Sequence, residues 1–124
     1  MRKITLSLII LVVSSAFVNQ SFSDIINAFK TGNAVHVAQY FDNTIEITLP
    51  AASHTLNKKQ AESALNDFFS QNPVKDFKVI HQSEKAGSEY CIGNLITSNG
   101  AFRTTIFTKQ KAGKELIQEL RFEK

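Results

Sequence analysis

Three glycine-centred turns constrain this chain more than any other feature. Lys85-Ala86-Gly87, Asn99-Gly100 and Lys111-Ala112-Gly113 divide everything after Pro73 into four runs rich in strand-forming residues. A turn fixes the register of the strands it joins, and register decides which side chains share a face. Asn-Gly is the preferred two-residue hairpin turn because both central positions need positive φ, which sets Ser98 opposite Ala101 and Ile92 opposite Phe107. Each Lys-Ala-Gly suits a three-residue loop with its glycine in the left-handed position of a bulge. That sets Glu84 opposite Ser88 and Gln110 opposite Lys114. The strands expected at 75–83, 89–98, 101–110 and 115–123 then form an antiparallel meander.

These pairings assign every side chain to a face. One face carries the rows Phe77/Leu95/Thr104/Leu120, Val79/Gly93/Ile106/Gln118 and His81/Cys91/Thr108/Leu116, with Phe122 opposite Phe102; it is the expected core face. The other carries Lys78/Asn94/Thr105/Glu119, Ile80/Ile92/Phe107/Ile117 and Gln82/Tyr90/Lys109/Glu115. On that second face a single apolar row, Ile80, Ile92, Phe107 and Ile117, crosses all four strands between charged and polar rows. An apolar centre with a charged border is the anatomy of an interface, and a two-fold axis lets one such patch serve both copies of a homodimer.

The first half reads as helices and one strand. Asp24 stands near the N-cap of a short helix carrying Ile25, Ile26 and Phe29, and Thr31-Gly32-Asn33 stops it. Asn33 caps a second short helix, Ala34 to Phe41, expected to bury Val35, Ala38 and Phe41. Thr44 to Leu49 alternates strictly, which predicts a half-buried strand with Ile45, Ile47 and Leu49 inward. Asn57 and Gln60 form an approximate capping box opening a longer helix, with Leu56 and Ala61 placed as its staple. Ala61, Ala64, Leu65, Phe68 and Phe69 follow at helical spacing. Asn72-Pro73 ends that helix, because the residue before a proline avoids helical dihedrals.

The N-terminus has the composition of a secretory signal peptide: Arg2-Lys3, an apolar run from Ile4 to Val13, then small residues. The run is well short of the roughly 20 apolar residues of a membrane span, so no span is expected after cleavage and an exported, periplasmic or secreted, location is. Ser21 and Ser23 suit cleavage before Asp24, and Ala16 offers an earlier site. Residues 1–23 are thus read as the leader and 24–124 as a single domain. Of 14 basic and 11 acidic side chains, Arg2 and Lys3 belong to the leader, which leaves a net charge of +1. Nucleic acid is not an implied partner. Cys91 is the only cysteine, so the domain has no internal disulfide framework and must be held by packing.

Two short helices, a strand, a longer helix and a four-stranded meander follow the element order of the nuclear transport factor 2-like fold. The segment from His36 to Pro50, HVAQYFDNTIEITLP, resembles the helix-to-strand passage of that superfamily. FKVIHQ, YCIGNLITSNG and LIQELRFEK resemble a family of exported bacterial domains of unknown function within it. The resemblance implies an α+β fold: three helices packed on a strongly bent antiparallel sheet, one strand plus the meander, shaped as a cone with a cavity. It also implies that pairing through the outer sheet face is common among related folds.

Ketosteroid isomerase relatives, which the chain resembles in outline, place a carboxylate base just before a proline on the first strand. Here Leu49 precedes Pro50, and a leucine cannot take a proton. Glu46 points outward if Ile45 and Ile47 point in. No catalytic residue, metal ligand set or cofactor is therefore assigned. Polar groups on the core face, His81, Cys91, Thr104, Thr108 and Gln118 beside Gly93, are the candidate lining for a small apolar ligand. His81 opposite Cys91 suggests a thiol with its base, but lacks a third orienting group. His36 and His54 read as surface histidines, without paired ligands at zinc spacing. The expected function is an exported, non-catalytic binding or assembly domain; the alternative is a small isomerase or hydrolase acting on an apolar ligand in the cavity.

Overall fold

The computed structural model describes residues 22–124, so the expected leader, residues 1–23, lies outside the described residues up to Ser21. Helix α1 spans Phe22–Thr31 and buries Phe22, Ile25, Ala28 and Phe29 along one stripe. It begins two residues earlier than the Asp24 boundary expected from sequence. Gly32, at φ 65°, turns the chain out of α1, with its N–H donating to the Phe29 carbonyl at 3.1 Å. Helix α2 is only Ala34–Ala38, capped by the Asn33 side chain, which accepts from the N–H groups of Val35 and His36. Its buried residues are Ala34, Val37 and Ala38, the i, i+3, i+4 set of a single face. The expected Val35 instead points out, 55% exposed.

Strand β1 is Phe41–Leu49. Phe41 is buried as expected, but as the first residue of a strand and not as the last of a helix. Ile45 and Ile47 point into the core, and Leu49 is partly buried at its edge. Strand β2, Ala52–Asn57, pairs antiparallel with β1 from Leu49↔Ala52 to Thr44↔Asn57. Helix α3, Lys58–Gln71, opens on the expected capping box of Asn57 and Gln60 and buries Ala61, Leu65, Phe68 and Phe69. Asn72 ends it, its backbone and side-chain N–H groups both donating to the Phe68 carbonyl at 2.9 and 3.0 Å. Strands β3 (Val74–Lys85), β4 (Ser88–Thr97), β5 (Gly100–Lys111) and β6 (Lys114–Glu123) form the meander.

The sheet has six strands in the order β2-β1-β6-β5-β4-β3. It is mixed, because β1 runs parallel to β6, with Glu46↔Glu119, Ile47↔Leu120 and Thr48↔Arg121 in register. Both the parallel contact and β2 depart from the expected purely antiparallel sheet. The helices fill one face. Phe29 of α1 meets Phe77 at 5.5 Å between ring centroids, and Phe68 of α3 meets Phe122 at 4.8 Å and Phe102 at 5.2 Å. A core this rich in aromatic area needs no disulfide, and Cys91 lies buried within it as a free thiol.

The turns set a different register from the one expected. At Ala86-Gly87 and Ala112-Gly113 all four residues have positive φ, between 49° and 80°. These are two-residue turns of the mirror-image kind, pairing Lys85 with Ser88 and Lys111 with Lys114. At the middle turn Gly100 alone has positive φ, 101°, and Thr97 pairs with Gly100. Asn99 is occupied elsewhere: its amide donates to the Gln71 carbonyl at 2.8 Å and the Asn72 side chain at 2.9 Å. Tertiary contact with the end of α3 thus overrides the local turn preference of Asn-Gly.

Two of the meander's three register shifts complete the correction, the third lying between Val74 and Asp76 at the start of β3. Between Val79 and His81 strand β3 carries an extra residue, and between Ile117 and Glu119 strand β6 carries another. A bulge moves every later side chain to the opposite face. His81 therefore leaves the core face and stands opposite Ile92, with Gln82 taking the place opposite Cys91. On β6, Leu120 and Phe122 stay inward as expected, but Ile117 replaces Leu116 on the core face and is fully buried. The apolar row Ile80/Ile92/Phe107/Ile117 therefore does not form. The β4/β5 shift is two residues, which keeps both faces intact: Cys91, Leu95, Phe102, Thr104 and Ile106 are all buried.

Candidate functional site

The six residues expected to line a cavity do not share one. His81 is exposed on the far side of the sheet from Cys91, so the two cannot act as thiol and base. Burial, with the Glu89 carboxylate adding, pushes the Cys91 thiol up to about 11, which keeps it protonated and inert as a nucleophile near neutral pH. The space left by Gly93 is already filled: a Cβ there would stand 2.5 Å from the Phe77 ring and 2.8 Å from the Lys78 carbonyl. Thr104 donates to the Phe102 carbonyl at 3.1 Å. Buried polar groups need partners, and these find theirs within the chain.

Thr108 and Gln118 belong to two polar clusters at the far end of the core face. Thr108 donates to Glu115 at 2.9 Å, both residues being buried. Burial pushes the Glu115 carboxyl up, partly offset by that hydrogen bond and reinforced by the carboxylates of Glu89 and Glu84. Gln118, at the bulge, donates to Asp42 at 2.9 Å and to the Leu116 carbonyl at 3.2 Å. Lys111 donates to the same Asp42 oxygen at 2.5 Å. Those two side-chain hydrogen bonds, Lys111 first, hold the Asp42 carboxyl down at about 2. This cluster ties the start of β1 to the end of β5 and the bulge of β6. Among the described residues no group of three or more His, Cys, Asp or Glu could hold a metal ion.

Two clefts open elsewhere, and none of the six residues lines either. One, of about 280 Å³, lies between α1 and α2 beside Asp24, His36 and Tyr40; burial, with Asp24 adding, raises the Tyr40 hydroxyl. The other, of about 500 Å³, lies where the β1–β2 turn approaches α3. Leu49, Pro50, Phe68 and Phe102 give it apolar surface, and His54, Asp67 and Lys124 give it charge and hydrogen-bonding groups. His54, read from the sequence as a surface histidine, stands on β2 opposite Ile47.

The convex sheet face keeps an apolar patch, differently composed. Tyr90 pairs directly with Phe107; Ile92 lies one step along β4 and Leu116, paired with Lys109, one step along β6. Ile92, Phe107 and Leu116 are half-buried, Tyr90 is 40% exposed, and Ile80 at the bulge is 61% exposed. Lys109 places its ammonium 5.9 Å from the centre of the Phe107 ring, and Arg121 pairs with Glu119 at 3.3 Å beside it. Tyr90 was expected on this face but in a polar row, Leu116 was expected on the core face, and Ile117 was expected here. The signal lay in Leu116-Ile117-Gln118-Glu119, where two apolar and two polar residues in succession break the alternation a regular strand would show. Among the described residues no helix is long and apolar enough to cross a membrane.

Comparison with known proteins places this architecture. The family described as a domain of unknown function, DUF4783, matches residues 22–123. No curated protein matches the chain. A DUF4783 protein of Bacteroides ovatus is 32% identical with a TM-score of 0.79, over 82% of this chain and 93% of its own. One from Bacteroides fragilis is 34% identical with a TM-score of 0.77, over 82% and 95%. An NTF2-like protein of unknown function from Cytophaga hutchinsonii, 12% identical over 82% and 83%, shares the fold with a TM-score of 0.58.

Proposed function

The chain belongs to the DUF4783 family, and we propose that on this NTF2-like fold it acts as an exported, non-catalytic binding and assembly domain that pairs with a second copy of itself through the convex sheet face. The observation that carries the reading is the group Tyr90, Ile92, Phe107 and Leu116 on the face opposite the helices, with Ile80 beside it. Large side chains in water at the centre of a sheet lose the hydrophobic stabilisation that burial would give, about 1.5–3 kcal/mol each at most. The border supports a second copy as the occupant. Lys109 and Arg121 stand near Glu119, so both signs of charge surround one apolar centre and a two-fold axis can bring unlike charges together. Export rests on the order of charged, apolar and small residues at the N-terminus. The non-catalytic reading rests on Leu49 before Pro50, and on the thiol and imidazole of Cys91 and His81 lying on opposite faces.

Analytical ultracentrifugation of the mature domain tests the pairing. The wild type is expected to sediment as a dimer at tens of micromolar, and Phe107→Lys as a folded monomer by circular dichroism. A monomeric wild type refutes the homodimer. A Phe107→Lys variant that stays dimeric moves the interface elsewhere.

A further inference from the structure

We propose that the cleft of about 500 Å³ where the β1–β2 turn approaches α3 binds a free amino acid with a large apolar side chain. This adds a site to the binding half of the reading above and does not depend on the pairing. On α3, Ala64, Asp67, Phe68 and Gln71 stand at i, i+3, i+4 and i+7 and so share the face of the helix that lines the cleft. Phe68 and Phe102 are almost wholly buried and their ring centroids lie 5.2 Å apart, so they make an aromatic floor. Leu49 adds apolar surface from the end of β1.

The rim carries charge of both signs that the chain itself does not pair. Asp67 has no hydrogen bond or ion pair among the described residues. Lys124 has no carboxylate partner among them either, and its ammonium stands 5.5 Å from the centre of the Phe102 ring, at the edge of the floor. A ligand lying on that floor displaces water from both groups, and a charge stripped of water without a partner is destabilising. An uncharged apolar ligand meets that penalty twice, and an apolar acid or amine meets it once. A molecule with an ammonium group for Asp67, a carboxylate for Lys124 and an apolar body for the two rings avoids it, and the hydrogen bonds so formed are of the stronger, charge-assisted kind.

Nuclear magnetic resonance titration of the mature domain with L-phenylalanine tests the site. Saturable shifts confined to residues around the cleft are expected by about 10 mM. N-acetyl-phenylalanine lacks the ammonium group and phenylalanine amide lacks the carboxylate, and each is expected to bind about tenfold more weakly. Glycine, with both charges and no apolar body, is expected to give no saturable shift. Asp67→Asn and Lys124→Gln change exposed side chains, so both variants should keep the wild-type melting temperature while losing about tenfold in affinity. Absence of saturable binding, shifts centred elsewhere, or blocked forms that bind as well as phenylalanine would overturn the proposal. Folded variants that bind normally would do the same. Phe107 lies on the far face of the sheet, so Phe107→Lys is expected to bind phenylalanine as the wild type does, and loss of the pairing and loss of the site are read separately.

Discussion

Buried carboxyls at two positions give this domain opposite responses to pH. Asp42 is held down at about 2 by hydrogen bonds from Lys111 and Gln118. Its folded value lies below the unfolded one, so its contribution is present above about pH 4 and is lost as pH falls toward 2. Glu115 runs the other way, because burial raises its carboxyl above the unfolded value. The protonated form stabilises the fold, fully so at low pH, and that contribution disappears as pH rises through the folded value. Glu115→Gln keeps an acceptor for Thr108 and cannot ionise. We expect it to melt a few degrees above the wild type at pH 7.5, with the gap closing at pH 4.5. Melting curves at the two pH values check this, and a gap that does not change with pH would show that Glu115 is not the titrating group.

Elements were legible from the sequence wherever a local cause sufficed. The capping box at Asn57, the stop at Asn72-Pro73 and the inward Ile45 and Ile47 all follow from neighbouring residues. Strand β2 was not legible, because Ala52–Asn57 shows almost no burial for alternation to report; it exists through its pairing with β1, including the Thr48–Ser53 hydroxyl contact at 3.0 Å. The expected cavity failed for the same kind of reason. A bulge places His81, and a turn bound to α3 sets the β4/β5 register, neither of which a single strand can announce. Parity rescued the rest, since a two-residue shift changes partners but not faces. Asn99 carries the tertiary cause: Asn99→Ala removes two exposed hydrogen bonds to the end of α3, which should cost about 1 kcal/mol. Urea unfolding measures it. No loss would mean that the turn itself, and not its tie to α3, sets the register.

Across the whole molecule, the concave face is closed by aromatic packing while the convex face is left open, and that asymmetry underlies the proposed assembly role. Six phenylalanines from α1, α3 and strands β3, β5 and β6 meet with centroids 4.8–6.4 Å apart. Polar groups on the same face are spent on one another or on the backbone. On the other face, Tyr90 and Phe107 have no comparable cover among the described residues, and the charged groups beside them carry both signs.

The parallel contact of β1 with β6 also sets when the fold can be completed. β6 lies inside the sheet, between β1 and β5, although it is the last of the six described strands in chain order. Without it the sheet falls into two pieces, the β1–β2 hairpin and the β3–β4–β5 meander, and Ile117, Leu120 and Phe122 are missing from the core. Pairings so distant along the chain form late, because the intervening loop must be closed before they contribute. A chain ending at Gly113 should therefore show no cooperative thermal transition, and a sharp one would mean that the meander folds alone. The sheet can close only when β6 slots between two strands that the rest of the chain leaves unjoined.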